Sequence, residues 1–333
     1  MTSQRTLSIG FRDFTPSDYD RLVEVYNANF PDYAISAAEQ RARDDSLDKS
    51  KYMLRRFAAI NTGTGEALGF GVISNVLDMF HPRKFMVNIY VDPACHRMRV
   101  GGAIFENLLK NLKGLHAEIA WTINREDLPL QREFFQRRGF NEKRRDWESR
   151  LDLSTFQPEQ FQEYEVRMAE QGISFTTLAE EKRLGEDSLR KLHDLVQHIA
   201  ADMPRQADFT PVPYDQWKTL LANNPRTIPE GFLIAKHGSE FVGESDILRN
   251  EKAPRTLSQG DTGVRREYRG RGIATALKLK VIEFAKKNGY ETIETWNDST
   301  NAPMLAVNTK LGFKRKIGWL LLEKDLSQQV SAN

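Results

Sequence analysis

The stretch Thr262-Gly263-Val264-Arg265-Arg266-Glu267-Tyr268-Arg269-Gly270-Arg271-Gly272-Ile273-Ala274-Thr275 carries the sharpest signal in the chain. A strand is expected to run into Val264, a glycine-rich turn to follow, and a helix to begin near Arg271 or Gly272. Downstream, Ile273, Leu277, Val281, Phe284 and Ala285 form one apolar stripe, and Lys278, Lys280, Glu283 and Lys287 are expected to lie away from it. The unpaired N–H groups of such a first turn point outward, and the helix dipole favours an anion there. Gly270, Gly272 and Ala274 leave the backbone open to close approach by phosphate oxygens. Arg269 and Arg271 can add charge-assisted hydrogen bonds. No Gly-Lys-Ser/Thr follows, so the turn is not a nucleotide P-loop, and its late position makes it a poor dinucleotide fingerprint.

Working outward, the chain repeats itself. A shift of 173 residues aligns Val91 with Val264, Ala103 with Ala276, Asn124 with Asn297, Gly139-Phe140 with Gly312-Phe313 and Asp152-Leu153 with Asp325-Leu326. No gap is needed from Val91 to Leu153, and eleven of the 63 pairs are identical, falling at turns and element ends. Each copy reads as strands and helices in the same order. The second has a strand over 173–178, a helix over 185–201, a proline-rich stretch, a short helix at 214–221 and a hairpin turning at His237-Gly238-Ser239. A strand into Val264, a helix, a strand at 292–296, a helix and a strand at 318–323 complete it. The first has strands at 7–11, 54–60, 67–74, 85–91 and 118–123, helices at 16–30, 37–47, 101–112 and 128–138, and a closing strand. The expected fold class is α/β with a mixed sheet in each half. The expected domains are 1–155, a polar connector at 156–172, and 173–333.

The segment Arg269-Gly270-Arg271-Gly272-Ile273-Ala274 resembles the acetyl-CoA motif Gln/Arg-x-x-Gly-x-Gly/Ala of the GNAT superfamily of N-acetyltransferases. The likeness continues through the strand at 292–296, Asn297, Asn301, Asn308 and Leu311-Gly312-Phe313. The resemblance implies two tandem GNAT-like domains and a cosubstrate, acetyl-CoA. Its pyrophosphate would be held by Arg269, Gly270, Arg271, Gly272, Ile273, Ala274 and Thr275, its arm would lie along the strand ending at Val264, and the main chain there would polarise the thioester carbonyl. Asn301 and Asn308, seven residues apart, share a helix face; Asn301 also sits where an N-cap belongs, with Pro303 just inside. Asn308 stands where many family members carry a tyrosine that protonates the departing thiolate. In the first copy, His96 and Arg99 replace motif residues, Gly101 keeps its place, and Leu128 and Phe135 take the positions of Asn301 and Asn308, so a structural or weakly binding domain is expected there. Two such domains in one chain resemble, in architecture, the group that includes mycothiol synthase.

The implied reaction moves acetyl to the amine of a small acceptor, which must lose a proton. Glu244 and Asp261, on strands expected beside the cleft, are the candidate bases, with Asn308 a third candidate catalytic residue. Tyr214, Trp217 and the prolines between Pro204 and Pro213 lie where the family builds its acceptor pocket. The competing readings are a non-catalytic acyl-CoA-binding regulatory module and an acyltransferase acting on a protein or aminoacyl-tRNA.

Bulk properties bound these readings. The 333 residues suit two domains of about 150. Lys plus Arg number 48 against 46 for Asp plus Glu, which disfavours nucleic acid as the main partner. The basic run Arg137-Arg138, Lys143-Arg144-Arg145 is read as a solvated face. A lone cysteine, Cys95, excludes an intramolecular disulfide and fits the cytoplasm, and six scattered histidines offer no metal spacing. No signal peptide is read in residues 1–6, and no run of roughly 18 apolar residues suggests a membrane span. A monomer or homodimer is expected.

Overall fold

The structure is a computed structural model that describes residues 7–327; the N-terminal residues on which the signal-peptide reading rests lie outside it. The chain forms two compact units. Unit 1 comprises Met1–Asn124, Leu128–Lys143 and Leu321–Asn333, and unit 2 comprises Arg125–Asp127 and Arg144–Leu320.

Unit 1 contains β1 (Ile9–Asp13), α1 (Tyr19–Asn29), α2 (Ala37–Asp45), β2 (Leu54–Asn61), β3 (Ala67–Ser74), β4 (Lys84–Val91), α3 (Val100–Gly114), β5 (Ile119–Arg125), α4 (Pro129–Gln136) and the start of β6 (Asn141–Asp152). Strands β1 to β4 form an antiparallel meander. Strand β4 then pairs in parallel with β5 over only three residues, from Lys84 to Met86. Gly69 and Gly71 let neighbours press onto β3: a Cβ at Gly71 would lie 2.2 Å from the Phe57 ring.

Unit 2 contains the rest of β6, then α5 (Glu163–Glu170), β7 (Ile173–Thr177), α6 (Leu178–Arg183), α7 (Glu186–Ala201), α8 (Tyr214–Asn223), β8 (Leu233–His237), β9 (Glu240–Arg249), β10 (Thr256–Val264), α9 (Ile273–Lys287), β11 (Thr292–Asp298), α10 (Ala302–Lys310) and most of β12 (Lys314–Asp325). Its strand order runs β6-β11-β10-β9-β8-β7. The hairpin turns where the sequence places it, with Gly238 at φ +60°. The second copy's helix is the expected one at 185–201, preceded by the short α6, whose Thr177 accepts from the Glu180 N–H in a capping box.

Residues 144–155, counted with the first copy from sequence, belong to unit 2, where β6 runs antiparallel along β11 from Asp146 to Asp152. Segment 156–172, read from sequence as a polar connector, is folded and contains α5. Phe156 stacks on Phe161 at 5.4 Å, and Tyr164 and Met168 of α5 are buried in one core with Ile273, Leu277, Val281 and Ala285 of α9. Helix α9 is therefore covered by the sheet on one side and contacted by α5 on another. Lys278 corrects one expectation: with its ammonium on Gln259 and over the Phe313 ring, it is not solvent-facing but 1% exposed. The basic run is not an open patch either. Arg137 pairs with Glu133, Lys143 with Glu323, Arg144 with Asp146, and Arg145 with Glu126, while Arg138 lies 3.6 Å over the Phe134 ring.

Candidate active site

The glycine turn leads from β10 to α9 as expected. Gly270 and Gly272 take φ +76° and +89°, a region open to glycine at little cost. Gly272 is the N-cap of α9, and the first helical bond runs from the Ala276 N–H to the Gly272 carbonyl at 3.0 Å. The N–H groups of Ile273, Ala274 and Thr275 precede that bond and point out of the helix end. A Cβ at Gly270 would meet nothing within 4 Å, so the turn faces open space there.

The two arginines of the motif differ. Arg269 folds back, donating to the Val264 carbonyl at 3.0 Å and to Asp202 at 2.6 Å. Arg266 also donates to Asp202, at 2.8 Å, and this hydrogen bond foremost holds the Asp202 carboxyl below its ordinary range. Asp202 thus anchors the turn. Arg271 remains at the surface, its guanidinium 4.8 Å over the Tyr268 ring.

Beyond the turn, β10 and β11 part. They pair in parallel only from Thr256 to Ser258, and β10 bulges against β9 between Gln259 and Thr262. A cavity of about 220 Å³ opens there, lined by Gly260, Asp261 and Thr262 on one side and Thr295, Trp296, Asn297 and Asp298 on the other. Asn301 lines it too and caps α10, its Oδ1 accepting from the Met304 N–H at 3.3 Å. Asn308 is 2% exposed and donates to the Asn297 Oδ1 at 2.6 Å, leaving its own buried Oδ1 without a partner.

Lys278 also lines this cavity. Its ammonium donates to Gln259 Oε1 at 2.5 Å, and Gln259 Nε2 donates to Ser245 Oγ at 2.8 Å, which in turn meets Thr262 Oγ1 at 2.7 Å. Burial brings the lysine down to about 7 from 10.5.

A second cavity, of about 270 Å³, adjoins the bulge. Glu244 and Asp246, two apart on β9, face it together, and Asp261 lines it as well as the first cavity. Glu244 is 1% exposed, and its Oε2 is buried without a hydrogen bond. Burial, then the neighbouring Asp246 and Asp261, raises Glu244 well above the ordinary carboxyl range. The same causes, burial and Asp261, push Asp246 up to about 7. Gly260 makes room for this: a Cβ there would lie 2.4 Å from Asp246 Oδ1. Trp217 and Leu221 of α8 and Val196 of α7 form the apolar wall, while Tyr214 packs edge-on against His193, ring centroids 5.5 Å apart.

Sequence reasoning named Glu244 and Asp261 but missed Asp246, Gln259, Gly260 and Lys278. The two-residue spacing on a strand signals Asp246, and a glycine inside a strand signals the bulge at Gly260. Among the described residues no group of three or more His, Cys, Asp or Glu side chains is placed to hold a metal.

In unit 1 the corresponding turn keeps its backbone shape with the wrong residues. Arg97 and Arg99 take φ +63° and +67°, matching Gly270 and Gly272, and Arg99 caps α3. The Cβ position of Gly101 faces the Phe134 ring at 3.5 Å. The Val91 carbonyl, counterpart of Val264, accepts from Asn29 Nδ2 at 2.9 Å. Phe135 is buried and Leu128 starts α4.

The pattern of the acetyltransferase (GNAT) family matches residues 19–140 and again 192–313, which is most of the chain. The chain belongs to the acetyltransferase (GNAT) family. The two GNAT matches are displaced by the same 173 residues that relate the internal repeat. This GNAT chain is similar to an uncharacterised N-acetyltransferase of Methanocaldococcus jannaschii, 43% identical over 102 residues, which are 28% of this chain and 45% of that relative's length. Among solved structures it resembles a tandem GNAT protein from the clavulanic acid biosynthesis pathway, with 18% identity, 96% and 98% of the two chains covered and a TM-score of 0.75. It also resembles a GCN5-related N-acetyltransferase of Sphaerobacter thermophilus, with 19% identity, 96% of each chain covered and a TM-score of 0.66. These likenesses give the tandem GNAT fold, and the family is one of acyltransferases that use acetyl-CoA in general. No helix among the described residues is long and apolar enough to cross a membrane.

Proposed function

We propose that unit 2 binds acetyl-CoA and transfers its acetyl group to the amine of a small acceptor, while unit 1 has a structural role. The observation that carries this reading is Asp261: the bulge of β10 sets it on the walls of both cavities, so a thioester in one would meet an amine in the other.

The backbone N–H groups at Ile273, Ala274 and Thr275 would hold the pyrophosphate, with Gly270, Arg271 and Gly272 shaping the turn and Arg269 anchoring it through Val264 and Asp202. Asn301 and Asn308 border the arm. The amine arrives protonated and gives its proton to the carboxylate cluster of Glu244, Asp246 and Asp261. Asp246, near 7, is poised to take it at neutral pH. The nitrogen then forms its bond to the carbonyl carbon as the carbon–sulfur bond breaks, and it sheds its second proton to solvent to leave the neutral amide. Asn308 has no proton to give the departing sulfur. Lys278, the lysine on the wall of the same cavity, supplies it and is recharged from solvent. In unit 1, arginine side chains stand at Arg97 and Arg99, where unit 2 has bare backbone.

A screen of small amines with acetyl-CoA, read by thiol release, tests the reading. Turnover that falls sharply in Asp246→Asn and is kept in Arg99→Ala is expected. Binding of acetyl-CoA with no turnover across a broad library would contradict it and favour a non-catalytic acyl-CoA-binding role.

A further inference from the structure

The cavity beside Glu244 has a composition that selects its occupant. Three carboxylates, Glu244, Asp246 and Asp261, converge on a volume of about 270 Å³ whose lining contains no lysine, arginine or histidine. Glu244 is buried, Asp246 half-buried and Asp261 exposed, and a buried acid such as Glu244 is costly to ionise beside its neighbours unless a counter-charge meets it. Among the described residues the buried Oε2 of Glu244 has no hydrogen-bond partner, and Glu244 lines this cavity. Gly260 keeps the Asp246 carboxylate pressed against bare backbone, since any Cβ there would fall within 2.4–2.7 Å of it. The unmet acceptor therefore points at something that enters from outside. Apart from Asn224 and Thr227, the remaining walls, including Trp217, Leu221 and Phe232, are apolar, and the cavity is below the size that takes a drug-sized ligand.

We infer that the acceptor is a primary amine bound as a cation and carried on a short aryl or alkyl body, with no carboxylate or phosphate near the nitrogen. This rests on the reading of unit 2 as the acetyl-transferring copy. The ammonium sits among the three carboxylates, and the apolar body lies against Trp217 and Leu221. An α-carboxylate on the acceptor would be driven into the same acidic wall and is rejected by repulsion.

The test uses the full chain and four probes: 2-phenylethylamine, n-hexylamine, the neutral isostere 2-phenylethanol, and phenylalanine, which adds a carboxylate. Binding is measured by calorimetry without acetyl-CoA, and acetylation is measured separately with it. The two amines should bind at least about tenfold more tightly than the alcohol, the equivalent of one charge-assisted hydrogen bond, and outrun phenylalanine in kcat/KM by a similar factor. The double variant Glu244→Gln/Asp246→Asn should lose that amine preference while keeping its affinity for acetyl-CoA, which shows that it folds. Equal binding of amine and alcohol, or a preference for phenylalanine, overturns the inferred class even if transfer occurs. Amine-selective binding with no acetyl-CoA bound overturns the transfer reading but upholds the cation pocket.

Discussion

Replacing Lys278 with methionine removes an ammonium from the core of unit 2. The fold resists charging this lysine, so the free-energy penalty is full below about 7 and fades as pH rises toward the ordinary value of 10.5. At pH 7 that difference corresponds to about 4 kcal/mol of folding free energy withheld. Methionine escapes the penalty but leaves Gln259 Oε1 without its donor, at a cost of about 1–3 kcal/mol. Lys278→Met should therefore stabilise the region around α9 by about 1–3 kcal/mol at neutral pH, and the gain should shrink and then reverse toward 10.5. Hydrogen exchange of peptides from α9 across a pH series reads this directly. The same variant should lose kcat, because the proton donor to sulfur is gone. A variant less stable than the wild type by the same amount at every pH would refute the reasoning: Lys278 would then be an ordinary charged lysine with a compensating partner.

At Gly272, φ +89° costs an L-residue about 1–2 kcal/mol, and a Cβ would press on Tyr164 Cε1 at 3.2 Å. Gly272→Ala should lower the melting temperature modestly, and Gly272→Glu should abolish acetyl-CoA binding in calorimetry with near-native circular dichroism. In the first copy the same conformation is imposed on an arginine, so Arg99→Gly should raise the unfolding temperature of unit 1, by up to about 1 kcal/mol in free energy. With Asp246 the proton acceptor, kcat/KM should fall as pH drops through about 7, the carboxylate being lost to protonation, and Asp246→Asn should flatten that limb of the pH–rate profile.

Much of the architecture was legible because it rests on local rules. The glycine turn needs positive φ at Gly270 and Gly272, and helix α10 needs a cap and a proline at its first turn, which Asn301 and Pro303 supply. The repeat made the order of elements readable twice. What escaped depends on packing between distant segments. Periodicity gives the angle of Lys278 around α9 but not its depth, and that depth depends on distant residues, Gln259 of β10 under its ammonium and the Phe313 ring beside it. Likewise Arg269 looks free to meet a phosphate until Asp202, 67 residues earlier, is seen to hold it. The placement of β6 along β11 is equally non-local, since nothing in its own sequence names its partner strand.

The location of the coenzyme is the central claim, and a crystal structure of the full chain grown with acetyl-CoA tests it most directly. The account predicts one molecule per chain, its pyrophosphate on the N–H groups of Ile273, Ala274 and Thr275 and its thioester beside Asp261. Coenzyme seated instead on the Arg97–Arg99 turn of unit 1, with the α9 turn of unit 2 empty, would contradict it.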